Sequence, residues 1–204
     1  PNTAVALSQE TSQITLGVGN ASTTSSHVRE LIVTDTSQNT FDRFDLQAPG
    51  GVVGQLTQFP QGANQAYVDV CLKVIGDPCA DGEWATSGPF TSTGDLTAPV
   101  GDMTMATSIR VRFSAEPVAD LPYSSTQGLA TFTFALRDTL RSNGAPIEPA
   151  TREKVTNCAT PSATDDGDPT QTYTGTNSCA NFFILPGTVA LSATKSMFPD
   201  NNGT

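Results

Sequence analysis

Leu129-Ala-Thr-Phe-Thr-Phe-Ala-Leu136 is the stretch that decides the fold class, because apolar and polar side chains alternate along it. Phe132, Phe134 and Leu136 share one face of an extended chain, and the threonines between them face the other way. Successive side chains of a β-strand point to opposite faces of the sheet. The alternation therefore predicts a strand with one buried face and one wet face.

The same alternation recurs along most of the chain, between turns rich in glycine, proline and asparagine. No stretch carries a helical apolar stripe longer than a turn or two. Several short alternating strands separated by such turns predict an all-β, antiparallel β-sandwich. The predicted core consists of Leu16, Val18, Leu31, Val33, Val68, Val70, Leu72, Ile109, Val111, Phe113, Phe132, Phe134 and Leu136.

The length of 204 residues suffices for one large sandwich or two small ones. Glycine and proline occur at close spacing between Gly76 and Thr107, which predicts mostly loop or a junction between subdomains. We expect one β-sandwich unit over residues 1–185, with any seam inside 76–107. Residues 186–204 are expected to be a terminal strand and linker that leads into, or completes, a neighbouring unit.

Charge and hydropathy exclude two classes of partner. The net charge at pH 7 is −10, which opposes attraction to nucleic-acid phosphates and anionic lipid, so no nucleic-acid partner is expected. No run of about 18 consecutive apolar residues occurs, so no membrane insertion is expected either.

The four cysteines fall into two local pairs, Cys71 with Cys79 and Cys158 with Cys179. Of the three connectivities that four cysteines allow, the local one closes each loop on itself, and it is the one we predict. Disulfides imply an oxidising compartment, so the protein is expected to be extracellular or at a cell surface. A zinc site is the alternative, but no Cys-x-x-Cys pair occurs and the only histidine, His27, is distant in sequence.

The run Asp165-Asp166-Gly167-Asp168 is the best metal candidate, because calcium prefers several carboxylate and carbonyl oxygens on a flexible loop. The run lacks a full calcium-loop spacing, and no glutamate follows at the expected distance. A solvated acidic loop is therefore the alternative for Asp165, Asp166 and Asp168. No other cofactor is expected.

Val189-Ala-Leu-Ser192 near the end repeats Val5-Ala-Leu-Ser8 near the beginning. The stretch that follows, from Leu191 to Asp200, has the pattern of a strand that leads into a loop. A chance match between two strands of similar composition is the alternative. The repeat favours a chain that is one unit of a longer array, with a period of 184 or 204 residues.

The order of several phrases resembles a tandem repeat domain found in very large secreted proteins of actinobacteria and related Gram-positive bacteria. The phrases are Ile14-Thr-Leu-Gly-Val-Gly-Asn20, Leu31-Ile-Val-Thr-Asp35, Phe41-Asp-Arg-Phe44, Ile109-Arg-Val-Arg-Phe113, Phe134-Ala-Leu-Arg-Asp-Thr-Leu-Arg141 with Gly144-Ala-Pro146, Val155-Thr-Asn157 and Ala193-Thr-Lys-Ser196. The two cysteine loops are not part of that pattern. The resemblance implies an Ig-like sandwich in which Lys195 belongs to the first strand of the next unit.

The leading functional hypothesis is a structural or adhesive extracellular repeat module of a bacterial surface protein or filament. Such a module would hold something at a distance from the cell surface and bear mechanical load. Its partners would be neighbouring copies of the same unit. The alternative is a module that binds a host or surface glycan or protein, with Trp84, Tyr67 or Tyr123 as a stacking surface for carbohydrate. A secreted enzyme comes third and is not expected, because His27 is the sole histidine and is predicted to be an exposed loop residue.

The final apolar stretch predicts how units join. A hydrophobic strand cannot remain as a bare edge, so Val189, Leu191 and Ala193 must pair within this unit or with the next one. The repeat favours strand addition to the neighbour, with Lys195 on the same strand. The alternative is an ordinary last strand of this domain. A covalent variant would bond Lys195 or Lys154 to an asparagine, such as Asn20 or Asn157, beside a buried carboxylate.

Overall fold

The structure is a computed structural model that describes residues 3–6, 8, 10–21, 27–80, 82–165 and 171–187. The described residues form thirteen β-strands, a short α-helix and one 3₁₀ turn at Pro49–Gly51. The helix α1 spans Gln38–Arg43. The strands are β1 (Thr3–Val5), β2 (Thr11–Val18), β3 (Val28–Asp35), β4 (Phe44–Leu46), β5 (Val52–Gln58), β6 (Gln65–Cys71), β7 (Ala85–Phe90), β8 (Gly94–Thr97), β9 (Ser108–Ser114), β10 (Gly128–Leu136), β11 (Glu153–Asp165), β12 (Thr172–Thr174) and β13 (Ser178–Leu185).

The strands form two sheets that pack face to face. The larger sheet has the order β1-β13-β11-β3-β9-β6-β7, and β12 pairs with β11 at its margin. The smaller sheet has the order β2-β10-β5-β8, and β4 pairs with β10. All of these pairs are antiparallel except β1 with β13, which are parallel. The prediction of an all-β sandwich is confirmed, and its Ig-like part stays a prediction.

Side-chain alternation places the core between the sheets. Along β10 every second residue is buried, from Gly128 to Leu136, as the sequence predicts. Aromatic rings then join the layers: Phe44 of β4 packs on Phe182 of β13 with ring centroids 5.1 Å apart. Phe41 of the helix packs edge-on against Phe134 at 5.7 Å. Each such ring stabilises the sandwich by an amount of about 3–5 kcal/mol, the usual cost of replacing it by alanine.

The predicted core is correct except at Leu72, which is 43% exposed. Strand β6 ends at Cys71, so the alternation that buries Val68 and Val70 does not extend to Leu72 or Val74. The prediction of Leu72 as a core residue is therefore wrong. An apolar residue that follows the end of a strand has no opposing sheet to cover it.

The second face of β6 is also covered, although the alternation predicts it as the wet face. Asp69 is fully buried, and its carboxylate accepts hydrogen bonds from Arg110 and Arg112 of β9 and from Thr86 of β7. The two arginine side chains are themselves only 20% and 22% exposed. They do not extend freely into solvent, because the buried carboxylate holds them against the sheet.

The stretch 76–107 contributes one strand to each sheet. Strand β7 pairs with β6 at the margin of the larger sheet, and β8 pairs with β5 in the smaller one. Two strands therefore lie within the stretch that the sequence predicts to be mostly loop. The domain bounds of 1–185 and 186–204 stay a prediction.

Both predicted disulfides are confirmed. Cys158 and Cys179 lie directly opposite each other in the β11–β13 ladder, with Cα atoms 4.1 Å apart. Cys71 and Cys79 close the loop after β6, with Cα atoms 6.2 Å apart. No helix of the described residues has the length and apolar character needed to cross a bilayer.

Candidate functional site

Two polar residues occupy inward positions directly after buried apolar residues of their strands. Asp35 follows the buried Leu31 and Val33 on β3 and is fully buried. Asn157 follows the buried Val155 on β11 and is 3% exposed. Buried polar groups cost stability unless they are paired, so their placement on the core face calls for an explanation.

The two side chains contact each other directly. The Asn157 amide Nδ2 donates a hydrogen bond to Asp35 Oδ2 at 2.6 Å, and the backbone N–H of Ser37 donates to Asp35 Oδ1 at 3.0 Å. The Ser37 hydroxyl donates to the Cys158 carbonyl at 2.8 Å and accepts from the Cys158 N–H at 2.6 Å. The chain after β3 is thereby fixed to β11, which holds the carboxyl and the amide in register.

Burial shifts the pKa of Asp35, the titratable member of the pair. Desolvation raises the pKa of Asp35 above its usual range and outweighs the hydrogen bonds from Ser37 and Asn157, which lower it. Both hydrogen-bond partners are neutral, so no cation compensates the desolvation. Asp35 therefore keeps its proton to a higher pH than an exposed aspartate does.

The other end of the Asn157 amide is unsatisfied. Among the described residues, the buried Asn157 Oδ1 has no hydrogen-bond partner. An unpaired buried acceptor of this kind costs about 1–3 kcal/mol. Within the described part of the chain, the site thus lacks one hydrogen-bond donor.

Asn157 lines a cleft between the two sheets. The cleft has a volume of 400 Å³, with Leu16 of β2 on one side and Ala159 of β11 on the other. A second cleft of 580 Å³ shares Val18, Gly19 and Pro161 with the first. The two clefts together form a groove that extends to Tyr173. None of the residues that line the 400 Å³ cleft is charged.

The same cleft exposes the edge of a strand. Strand β2 pairs with β10 along one side, and no strand of the described residues pairs along its other side. An unpaired edge carries free backbone donors and acceptors, which is the template for addition of another strand. The groove therefore combines main-chain hydrogen-bonding groups, an uncharged lining of apolar and polar side chains, and one unsatisfied amide oxygen.

The chain was also compared with known proteins. No family model, curated protein or solved structure matches it. The resemblance to the actinobacterial repeat domain stays a prediction that rests on sequence phrases. Two of those phrases, Leu31–Asp35 and Val155–Asn157, end at the two buried polar residues.

A third cleft, which we call the polar cleft, lies on the outer face of the larger sheet. It has a volume of 430 Å³ and is lined by Trp84 and Arg110 together with Thr34, Gln38 and Asp77. The Arg110 guanidinium carbon lies 4.5 Å from the centre of the Trp84 ring. Trp84 is half-buried, so the arginine occupies part of the surface that a sugar ring would need.

The other two aromatic candidates differ in exposure. Arg112 covers Tyr67 in the same way, with its guanidinium carbon 4.9 Å from the ring centre. Tyr67 is half-buried. Tyr123 is 58% exposed. The expectation of an exposed stacking residue is thus met only by Tyr123.

The proposed calcium loop lies mostly outside the described residues. Only Asp165 of the three aspartates is described, and its carboxylate accepts a hydrogen bond from the Tyr173 hydroxyl at 2.9 Å. Asp166 and Asp168 lie outside the described residues. Within the described ranges, no three acidic, histidine or cysteine side chains are grouped in a way that would hold a metal.

His27 is exposed, as the sequence predicts. Its Nδ1 lies 2.8 Å from Asp120 Oδ2, and Arg29 Nε lies 3.2 Å from Asp120 Oδ1. The histidine side chain is 63% exposed. Exposed polar contacts of this kind contribute little to stability.

The predicted joining residues Val189, Leu191, Ala193 and Lys195 lie outside the described residues. Of the other residues named for a covalent bond, Lys154 is exposed, because it lies on the face of β11 opposite to Asn157. Lys154 therefore does not reach that amide. Asn20 is buried, and its Nδ2 donates to the Leu121 carbonyl at 2.9 Å.

Sequence reasoning named Asn157 but missed Asp35. A signal was present, because Asp35 continues the inward series of Leu31 and Val33 in steps of two. A polar residue at such a position is a candidate site residue. Its partner could not be found in this way, since Asn157 is 122 residues away in the chain.

Proposed function

We propose that the chain is a structural or adhesive module of an extracellular bacterial surface protein or filament, and that it assembles with further copies by strand addition. The observation that supports this proposal is the edge of β2, which no described strand pairs, beside an uncharged cleft. A bare strand edge promotes uncontrolled association unless it is covered. A strand from another copy would satisfy the edge and fill the cleft together.

We propose the segment 189–193 of another copy as the strand that would occupy this groove. Val189, Leu191 and Ala193 stand at every second position, so an extended segment would present them on one face. The lining of the cleft is apolar where β2 contributes Ile14 and Leu16. Two disulfides and short, paired strands support an extracellular setting, in which such an assembly would resist proteolysis.

A truncation tests this proposal. A chain that ends at Gly187 keeps every described strand, so it is expected to fold but to remain monomeric, while the full chain associates. Light scattering after size exclusion measures the difference. Leu191→Asp should abolish association, whereas the matched control Ser192→Asp, on the opposite face of the segment, should preserve it. Equal association of the full and truncated chains would reject strand addition.

A glycan-binding module is the second candidate, and the polar cleft beside Trp84 favours it. An indole ring with neighbouring hydroxyl, amide and carboxylate groups is a common arrangement for carbohydrate. The Trp84→Ala variant should then lose binding on a glycan array, while Val118→Ala, at an exposed position that does not line this cleft, serves as the control. No binding by the unmodified protein to any glycan would reject this candidate.

A further inference from the structure

We propose that the Cys71–Cys79 disulfide is a redox switch for the polar cleft, where a dithiol reductant releases one wall of the cleft and lowers its affinity for a ligand. The inference rests on the second candidate function, glycan binding at the polar cleft, and goes further by naming what regulates that site. The switch itself is testable without a ligand, because Trp84 lines the same cleft as Cys79.

One wall of the polar cleft is the loop that this disulfide closes. Gly76, Asp77 and Pro78 line the cleft, and so does the half-buried Cys79 itself. The rest of the lining comes from α1, from β3 and β9, from the residue that follows β3, and from Trp84, which directly precedes β7. The position of the disulfide loop relative to these elements therefore decides the shape of the cleft.

Few hydrogen bonds join this loop to the rest of the described chain. The Gly76 N–H donates to Gln38 Oε1 of α1 at 2.6 Å. Lys73 forms an ion pair with Glu83, but both side chains are exposed, and a surface pair of this kind contributes little. Hydrogen bonding alone therefore holds the loop weakly.

The loop also buries little apolar surface. Leu72 and Val74 are 43% and 72% exposed. Ile75 is the one large apolar side chain of the loop that packs against the core. A segment with few buried apolar contacts and few hydrogen bonds opens at a low free energy. The covalent bond between Cys71 and Cys79 is therefore the main restraint on this wall of the cleft.

The second disulfide has a different setting. Cys158 and Cys179 lie opposite each other within the β11–β13 ladder, where the Thr156 hydroxyl also donates to Asn181 Oδ1 at 3.1 Å. Backbone hydrogen bonds keep these two strands paired when the disulfide is absent. Neither cysteine lines the polar cleft. Cys158–Cys179 is therefore a matched control for the switch.

The switch operates by thiol–disulfide exchange. A thiolate of the dithiol attacks Sγ of the half-buried Cys79, because Cys71 is fully buried. The disulfide breaks, a mixed disulfide forms at Cys79, and Cys71 leaves as a thiolate that takes up a proton. The second thiol of the reductant then attacks the reductant's own sulfur in the mixed disulfide and releases Cys79 as a thiol. Two electrons and two protons pass from the dithiol, which becomes a disulfide, to the protein.

A full chain with a single disulfide tests the switch. In the double variant Cys158→Ser with Cys179→Ser, dithiothreitol reduces only the bond at the cleft, and alkylation with peptide mapping verifies its state. Trp84 is the only tryptophan of the chain, so its emission reports on the polar cleft. On reduction we expect the emission to shift to longer wavelength and acrylamide to quench it faster. Hydrogen exchange at the Gly76 amide should accelerate by about tenfold or more.

The converse double variant, Cys71→Ser with Cys79→Ser, is the control, and its Trp84 emission should not respond to dithiothreitol. In the chain that retains Cys71–Cys79, unchanged emission and unchanged Gly76 exchange on reduction would overturn the switch. Loss of the far-ultraviolet β-sheet dichroism on reduction would also overturn it, because the reductant would then unfold the domain and not the loop alone. This second measurement decides the matter even where the control variant does not fold.

A glycan array, probed with the oxidised and the reduced forms of the chain that retains Cys71–Cys79, separates the switch from the proposed function. Binding that is lost on reduction supports both. Binding of equal strength in the two forms would overturn the switch and leave the glycan site intact. A response of Trp84 without binding to any glycan in either form would support the switch in the cleft and reject the glycan ligand.

Discussion

Asp69 and Arg112 are joined by two hydrogen bonds on the outer face of the larger sheet. Arg112 Nε donates to Asp69 Oδ2 at 2.6 Å and Nη2 donates to Asp69 Oδ1 at 3.1 Å, which is the two-pronged geometry that guanidinium and carboxylate groups favour. Burial alone would raise the pKa of Asp69, but hydrogen bonds from Arg112, Thr86 and Arg110 outweigh it and hold the pKa below its usual range. The carboxylate therefore connects β6, β7 and β9.

Replacement of Asp69 should destabilise the protein strongly. Asp69→Asn would leave Arg110 and Arg112 without their shared counter-ion, and a broken buried pair costs about 3 kcal/mol. Denaturant unfolding measures the change. Asp95→Asn, on the exposed side of β8, is the matched control and should stay within about 0.5 kcal/mol. Because the pKa of Asp69 is lowered, its contribution is present above the unfolded pKa and is lost as pH falls, so the gap between wild type and variant should narrow in acid.

Asp35 should give the opposite dependence on pH. Its pKa is raised in the folded protein, so the folded state binds the proton more tightly than the unfolded state does. The stability that it contributes is fully present below the unfolded pKa and is lost as pH rises through the folded pKa. Asp35→Asn should therefore gain in free energy of unfolding relative to wild type as the pH rises above the ordinary pKa of an aspartate. Denaturant unfolding at a series of pH values measures the difference, and a difference that does not change with pH would contradict the raised pKa.

Two leucines offer a matched test of the core. Leu56 of β5 is 1% exposed, whereas Leu72 is 43% exposed beyond the end of β6. Leu56→Ala should lower the free energy of unfolding by about 3 kcal/mol, because it removes buried methyl groups and leaves a cavity. Leu72→Ala should lower it by no more than about 0.5 kcal/mol. Similar losses in the two variants would show that Leu72 is covered in solution.

The disulfides should contribute unequally. Loop-closure entropy gives about 3 kcal/mol for Cys158–Cys179, which spans 21 residues, and about 2.5 kcal/mol for Cys71–Cys79, which spans 8. Paired serine variants, compared by denaturant unfolding, measure each contribution. Unfolding of the unmodified protein with and without reductant checks the sum. A larger loss at the shorter loop would show that packing around Cys71 matters more than loop length.

The sequence was sufficient for the fold because a β-sandwich is encoded by a local pattern. The period of two along Gly128–Leu136 is present in any window of that stretch, and burial follows it residue by residue. The pattern fails where a strand stops, as at Leu72, because the position of a strand end depends on which neighbour pairs with it. It also fails at Asp69, whose burial depends on arginines more than 40 residues away.

The candidate site was less predictable for the same reason. Alternation shows that Asp35 and Asn157 face inward, but no local pattern shows that they meet across 122 residues. The open edge of β2 is likewise a property of sheet order, since its alternation matches that of a strand paired on both sides. Cysteine pairing was predictable because each pair lies close in sequence and the local connectivity was the simplest.

The parallel pairing of β1 with β13 has a consequence for how the module would respond to tension. The chain enters β1 at Thr3 and leaves β13 at Leu185, at opposite ends of the shared ladder. A pull on these two points slides one strand along the other, so the hydrogen bonds between them resist together instead of opening one after another. Once that ladder breaks, the Cys158–Cys179 disulfide still joins β13 to β11. The chain between the two cysteines, which are 21 residues apart, therefore cannot be extended by the force. In single-molecule stretching, the oxidised module should therefore break at a high force and extend less than the reduced one.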